Sequence, residues 1–578
     1  MVLAVALVAI ATTVGGNAVA VAEPVERKSA TGRFDRPREG FAPPSTVLRD
    51  GSPEQVGLDR APIDELLGRV QAWTRPDASG HPLFSGAVSL MAHDGVVVSG
   101  GTSGYALRYS DATGTELPEA ERVPMRPDTI FDMASITKLF TSIAVMQLVE
   151  TGQVDVDAPV SAYLPEFGVN GKESITVEQL LTHTSGLEPF LDLWRDWPDK
   201  PSRIKAVMDV APKDPPGTTY VYSDLNLITL GVLVERLTGD PLDTVVRERI
   251  TEPLGLTDTG YNPPASEIDR IAATEFTSTP PRGLIRGEVH DENAWSLGGV
   301  AGHAGVFSTA RDMSVLAQTI LNGGSYAGRR ILRPDTVRMM LTNYNDEFPE
   351  DSHGLGFELN QRWYMGGLSA KVTAGHTGFT GTSLVIDPTS RSVAILLTNR
   401  VHPTRTRGSI NIAREAVSTA LAKSLAVRPR QGGDAWYTGI GDATTATLTT
   451  DTLRPRRDVS VHFDAFVDSE ETDALVLEQS TDGVQWSPVP MWARGRGAPD
   501  GEVTALAGAG HRAWWSISAE LAPTEMMALR WRFTTDGRYS GRGVYVDGIR
   551  VTEGNRVLLD GEKQPTRLDA NKWEVRIR

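Results

Sequence analysis

The sequence predicts an α+β domain followed by an all-β sandwich. Three observations carry this reading. Up to about residue 425, apolar stripes at helical spacing alternate with short strand runs joined by tight-turn signals. The polar stretch Arg428-Pro-Arg-Gln-Gly-Gly-Asp434 then interrupts the chain. Beyond it apolar residues recur at every second position, as in Val459-Ser-Val-His-Phe and Ala528-Leu-Arg-Trp-Arg-Phe533.

Taken in order, residues 1–22 carry no charge and run through Val2-Leu-Ala-Val-Ala-Leu-Val-Ala-Ile10 to Ala20-Val21-Ala22. An apolar stretch before a small-x-small site predicts a signal peptide cleaved before Glu23, hence a secreted protein; an uncleaved membrane anchor is the alternative. Residues 23–55 open Pro-, Arg- and Ser-rich and read as a tether, 56–427 as the α+β domain, 428–434 as a linker and 435–578 as the sandwich. Within the first domain, Ile63, Leu66, Leu67 and Val70 predict a helix near 61–73. Gly86 to Ser99 forms strand, Asp94-Gly95 turn and strand. The stretch 131–150 is helical, with Ile136, Leu139, Phe140, Ile143, Met146 and Val149 as one buried stripe. A short helix near 176–181 ends in Thr182-His-Thr-Ser-Gly186, and residues 188–218 read as a long connection. Helices return near 225–237, 310–321 and 410–425. A glycine-rich loop spans 271–308, and strands occupy Ala374 to Asn399 with an Asp387-Pro388 turn.

Composition excludes several classes. A net charge of −16 disfavours nucleic acid or anionic lipid as the main partner. With no cysteine there are no disulfides, thiolate metal sites or cysteine nucleophiles.

The chemistry-bearing residues fall in three places. Ser135 and Lys138 lie one turn apart near a helix start, which sets an alcohol beside an amine where free backbone N–H groups gather. Tyr222-Ser-Asp224 opens a later helix, and a phenol near an ammonium can shift toward phenolate and accept the serine proton. His376-Thr-Gly378 begins a strand, where Gly378 lets the backbone approach a substrate and leaves the Phe379 N–H as an oxyanion donor.

Together, Ser135-Ile-Thr-Lys138, Tyr222-Ser-Asp224 and His376-Thr-Gly378 resemble the three motifs of class C β-lactamases and penicillin-binding-protein-like serine hydrolases. The likeness spans about 60–427 and includes Leu180-Leu-Thr-His-Thr-Ser-Gly-Leu187. It implies an antiparallel sheet flanked by helices, with the N-terminal hairpin beside the C-terminal strands. It further implies Ser135 as the acylated nucleophile, Lys138 as its partner, Tyr222 as general base, and Asp224, His376, Thr377, Gly378 and Phe379 as substrate-binding residues. No cofactor is implied. Two departures stand out: Asp224 where the motif usually has Asn, and His376, whose imidazole is largely neutral at pH 7, where it usually has Lys. Both weaken the case for β-lactam hydrolysis and leave D-alanyl peptidase or esterase activity on a small molecule or cell-wall peptide.

Other residues receive blander readings. Ser202-Arg-Ile-Lys205 repeats the first spacing but follows Asp199-Lys-Pro and reads as surface helix. Trp194 and Trp197 either line a groove or pin their loop. His183, His290 and His303, with Asp291 and Glu292, lack metal-site spacing and read as braces of the cleft, so no metal is expected there. The sandwich is similar to jelly-roll modules of secreted bacterial peptidases, which implies glycan or cell-wall contact and, for calcium, Asp464, Asp468 and Asp547 as ligands. The rival to an enzyme is a catalytically inactive hydrolase fold displaying that sandwich.

Overall fold

The computed structural model describes residues 30–578. The export segment expected over 1–22 lies outside them. The α+β domain is built on an eight-stranded sheet. Strands β1 (Gly86–His93) and β2 (Val96–Leu107) form the hairpin, and β3 (Ala374–Gly378), β4 (Thr382–Asp387) and β5 (Ser392–Thr398) form an antiparallel meander. The meander joins the hairpin through β5 and β1, with Thr398 opposite Ala87 and Ser392 opposite His93. N- and C-terminal parts of the domain thus share one sheet.

That sheet is covered on both faces, which explains why β5 reads as an unbroken apolar run rather than an alternation. Val393, Ile395 and Leu397 enter the larger core with Ile136, Phe140 and Leu230. Ala394 and Leu396 enter a second core beneath α1 (Ala61–Trp73) and the C-terminal helix of the domain. Helix α2 (Thr137–Glu150) is the centre of the larger core. The single stripe expected for it is too narrow, because Lys138, Thr141 and Ser142 on its other side are buried as well. A helix buried all round is held by neighbours on every side, here including α3 (Asp224–Thr238), α4 (Leu242–Val246) and the 302–303 turn.

Three expectations are corrected. Residues 188–218 are not a plain connection: they carry short helices at Leu193–Asp196 and Lys200–Asp209. The loop at 271–308 contains a small hairpin, a helix at Glu292–Ser296 and a strand at Val306–Ser308. The segment read as a tether is bound from residue 33 onward. The Asp35 and Arg38 N–H groups donate to Ala426 and Thr389, and Arg49–Asp50 adds a parallel edge to β2.

The domain closes with α5 (Asn411–Ser424), after which the sandwich begins at Ala435. It packs an eight-stranded sheet on a five-stranded one around Phe463, Trp515, Trp531 and Phe533. Buried ion pairs fasten it to the first domain: Arg512 to Asp387 at 2.7 Å and Arg542 to Asp35 at 3.1 Å. The three acids expected as calcium ligands do not form a joint site. Asp547 accepts from the Arg430 and Gln431 N–H groups, Asp464 faces Gln431 and Arg430, and Asp468 lies beside Arg512 and Arg542.

Candidate active site

Ser135 sits in a 3₁₀ turn, Ala134–Ile136, that runs directly into α2. The turn is held in an unfavourable backbone state, with Ala134 at a φ of 47°. Its supports are local and distant. The buried Asp132 carboxylate accepts from the Ala134 N–H at 2.8 Å and from the His290 N–H at 2.6 Å. From the sheet, Thr380 and Thr382 donate to the carbonyls of Asp132 and Met133. Gly378 makes this approach possible: a Cβ there would lie 2.4 Å from the Met133 carbonyl and 2.1 Å from the Thr382 hydroxyl. The His376-Thr-Gly378 motif ends its strand rather than beginning it, which brings Gly378 and Phe379 to the serine turn.

Lys138 is buried, and its Nζ lies 2.9 Å from Ser135 Oγ, 2.8 Å from Asp224 and 3.2 Å from the His303 carbonyl. Burial pulls the ammonium toward neutrality, but the Asp224 carboxylate and the Tyr222 oxygen together more than offset this and the net shift is upward. Lys138 is therefore a cation, not a free base. The Tyr222 phenol lies within hydrogen-bonding reach of both Ser135 and Lys138, and the ammonium sits 4.8 Å from its ring centroid. The expected drop toward phenolate does not occur: burial pushes the phenol up to about 12, and although Lys138 opposes this, Asp224 adds to it. Asp224 is thus a charge partner of Lys138 within the site, a different role from the substrate contact expected of it.

His376 matches the neutral ring expected of it. Burial, with Lys138 nearby, lowers its imidazole to about 3, so the ring is neutral. Its Nδ1 faces the Thr377 carbonyl at 2.8 Å and must carry the proton, which leaves Nε2 as a buried acceptor without a partner. No cation stands at this position of the third motif.

The tyrosine is positioned by His183, a residue that sequence reasoning ranked only as a brace. Its carbonyl accepts from Val221 N–H at 2.9 Å and its Nδ1 from Ser223 N–H at 3.1 Å, one contact on each side of Tyr222. Burial holds this imidazole far below its usual range, as its acceptor role requires. The rings of His183 and Tyr222 lie 4.6 Å apart.

A cleft opens on both sides of Ser135, Tyr222 and Phe379. One half is lined by Phe190, Trp194, Asp291 and Asn293, while Trp197 packs on the core, so each reading of the tryptophans holds for one of them. The other half holds Thr377 and three arginines, Arg400, Arg405 and Arg414. Arg405 is paired to Glu275 and Glu292, whereas Arg414 donates to backbone carbonyls and keeps a buried Nε without a partner. Nothing in the sequence marks these arginines, because only the packing of α5 against β3 and β4 brings Arg414 there. Phe379 is half exposed between Arg400 and His290. Asp224, Asp291 and His303 bring donor atoms within 4.8 Å of one another. Asp224 is already paired with the ammonium and Asp291 with His303 at 2.9 Å, so a metal ion would meet like charge. His290 in turn pairs with Glu275, and these loops brace the cleft.

A serine at a buried helix start, between a charged lysine and a tyrosine and under the end of an antiparallel sheet, is an arrangement built for acyl transfer. The chain belongs to the beta-lactamase family, whose profile matches residues 78–418. It is 33% identical over 390 residues to an Escherichia coli K12 protein named "Putative D-alanyl-D-alanine carboxypeptidase", covering 62% of this chain and 86% of that one. A Salmonella schwarzengrund protein of the same name is 35% identical over 400 residues, covering 63% of this chain and 88% of that one. Among solved structures, a penicillin-binding protein homologue from Caulobacter crescentus superposes with a TM-score of 0.50 at 26% identity, over 63% of this chain and 97% of that one. A class C beta-lactamase reaches a TM-score of 0.50 at 17% identity, over 64% of this chain and 97% of that one, and shares the fold.

Proposed function

We propose that the protein is an exported serine hydrolase that forms an acyl-Ser135 intermediate on peptides ending in a free carboxylate, in the manner of a D-alanyl carboxypeptidase. The observation that carries this is the 2.9 Å contact between Ser135 Oγ and a buried Lys138 ammonium, with Tyr222 in reach of both. Tyr222 acts from the phenolate form that it reaches by releasing its proton to solvent: as Ser135 Oγ attacks the scissile carbonyl, its proton passes to that phenolate. The N–H groups of Ser135 and Phe379 receive the developing oxyanion, and collapse expels the leaving amine, which takes the proton back from Tyr222. Water gives a proton to the phenolate so regenerated and attacks the acyl group, and that proton returns to Ser135 Oγ as the acid leaves. Lys138 stays charged and stabilises that phenolate.

The substrate class follows from the cations that remain in the cleft. Neutral His376 cannot hold a carboxylate, but Arg400 and Arg414 line the same half. The relatives' names support the peptide assignment. Export rests on the apolar start and the Ala20-Val21-Ala22 site.

The test is hydrolysis of an N-acylated peptide ending in D-Ala-D-Ala, its C-terminal amide analogue and a short-chain ester. Intact-mass detection of the acyl adduct accompanies the kinetics. The acid peptide should be preferred over the amide and the adduct should vanish in Ser135→Ala. An adduct that persists in that variant, or equal rates on acid and amide, would sink the proposal.

A further inference from the structure

Where the sandwich faces the hydrolase domain, three of its acidic side chains converge with too little positive charge to match them. Glu470, Asp473 and Asp536 each bring a carboxylate oxygen to within 4.8 Å of the others. Asp473 is completely buried and Glu470 nearly so, at 7% exposure. Asp473 Oδ1 accepts from the Asp536 N–H at 2.9 Å, which fixes the carboxylate, while its Oδ2 has no partner. Oε1 of Glu470 is likewise buried without one. The neighbouring cation is Arg362 of the hydrolase domain, 3.4 Å from Glu470 Oε2 but shared with Glu471. One shared guanidinium does not balance three carboxylates, two of them withdrawn from water.

We propose that Glu470, Asp473 and Asp536 form a structural site for a calcium-type divalent cation. The donor set decides the class of ion. All three ligands are carboxylate oxygens, with no imidazole or thiolate among them, which suits a hard cation over zinc or copper. Asp536 is exposed, which leaves an open side for the waters and carbonyls that complete a large coordination shell. An ion here would tie the loop after Asp468 to the turn at Asp536, beside the contact with Arg362.

The experiment uses the full chain stripped with a chelator, followed by calorimetric titration and thermal unfolding in calcium chloride. One ion should bind per chain and raise the melting temperature by about 5 °C or more at saturation. Magnesium should give a smaller rise. Asp473→Asn and Glu470→Gln should abolish binding, and in the stripped state should melt higher than wild type because an amide removes the repulsion. Asp536→Asn, at an exposed position that folding tolerates, should weaken binding at least tenfold, and Glu471→Gln should leave it intact. No heat and no shift in the stripped wild type, a calcium response that survives in Asp473→Asn or Asp536→Asn, or an equal response to magnesium would overturn the assignment.

Discussion

Ser135 and Ser202 each precede a lysine by three residues in a helical setting, and they meet opposite fates. At Ser135 the lysine is buried, 2.9 Å from the hydroxyl and 2.8 Å from Asp224. At Ser202 the hydroxyl donates to the Asp199 carbonyl as part of a helix cap, and Lys205, 73% exposed, pairs with Asp209 on its own helix. One helical turn places serine and lysine on one face in both cases. What separates them is the exclusion of water and the arrival of Asp224, Tyr222 and Gly378 from distant parts of the chain. Spacing creates a pair; burial and third parties create a site.

The comparison can be broken or sharpened by substitution, beginning with the largest effect. Ser135→Ala should lower turnover on the order of 10⁴-fold or more, while Ser202→Ala leaves kcat/KM unchanged; a loss at Ser202 would erase the distinction. Tyr222→Phe should cost roughly 10²- to 10⁴-fold in kcat with little change in KM. His183→Ala removes the imidazole that holds the Ser223 N–H and packs on the Tyr222 ring, while the carbonyl contact to Val221 stays, and should cost about 10- to 100-fold, read as a fall in kcat in a variant that still unfolds cooperatively.

Asp224→Asn sharpens the electrostatic half of the comparison. Asp224 raises both the Lys138 ammonium and the Tyr222 phenol. Removing its charge lowers both, so the phenolate becomes accessible at lower pH. In wild type, with the phenol near 12, kcat/KM should still climb through the alkaline range; in the variant the limb should move toward neutrality. A profile that stays put, followed over pH 6 to 10, would show that Tyr222 is not the titrating base. The smallest effect belongs to Lys205→Met, which removes an exposed pair and should leave kinetics and melting temperature essentially unchanged.

Much of this was legible in the chain. The hairpin at Asp94-Gly95, the serine helix, the meander with its Asp387 turn and the alternating strands beyond Ala435 follow from local periodicity and turn chemistry. Candidate residues Ser135, Lys138 and Tyr222 were visible because each stands in a short motif, and the structure brings all three together. The short helices near 193–209 were missed because flanking Trp, Pro and Asp mask so few turns. The fastening of residues 33–50 was missed because a Pro- and Arg-rich segment carries no period of its own; Asp35 finds its partner in Arg542 near the other end of the chain.

Protonation was the least legible part. From sequence, a lysine beside a tyrosine argues for a lowered phenol, and a histidine for a largely neutral ring. The neutral histidine survives burial and the lowered phenol does not, since desolvation acts on every member of the site and depends on packing from all sides.

The sequence by itself determined which elements form and which side chains are available, because periodicity, capping and turn residues act over a few positions. The tertiary structure alone decided that Lys138 is charged, that Tyr222 is neutral, and that Arg400 and Arg414 reach the cleft. Charge state and convergence depend on distance and dielectric, and both are set by residues far apart along the chain.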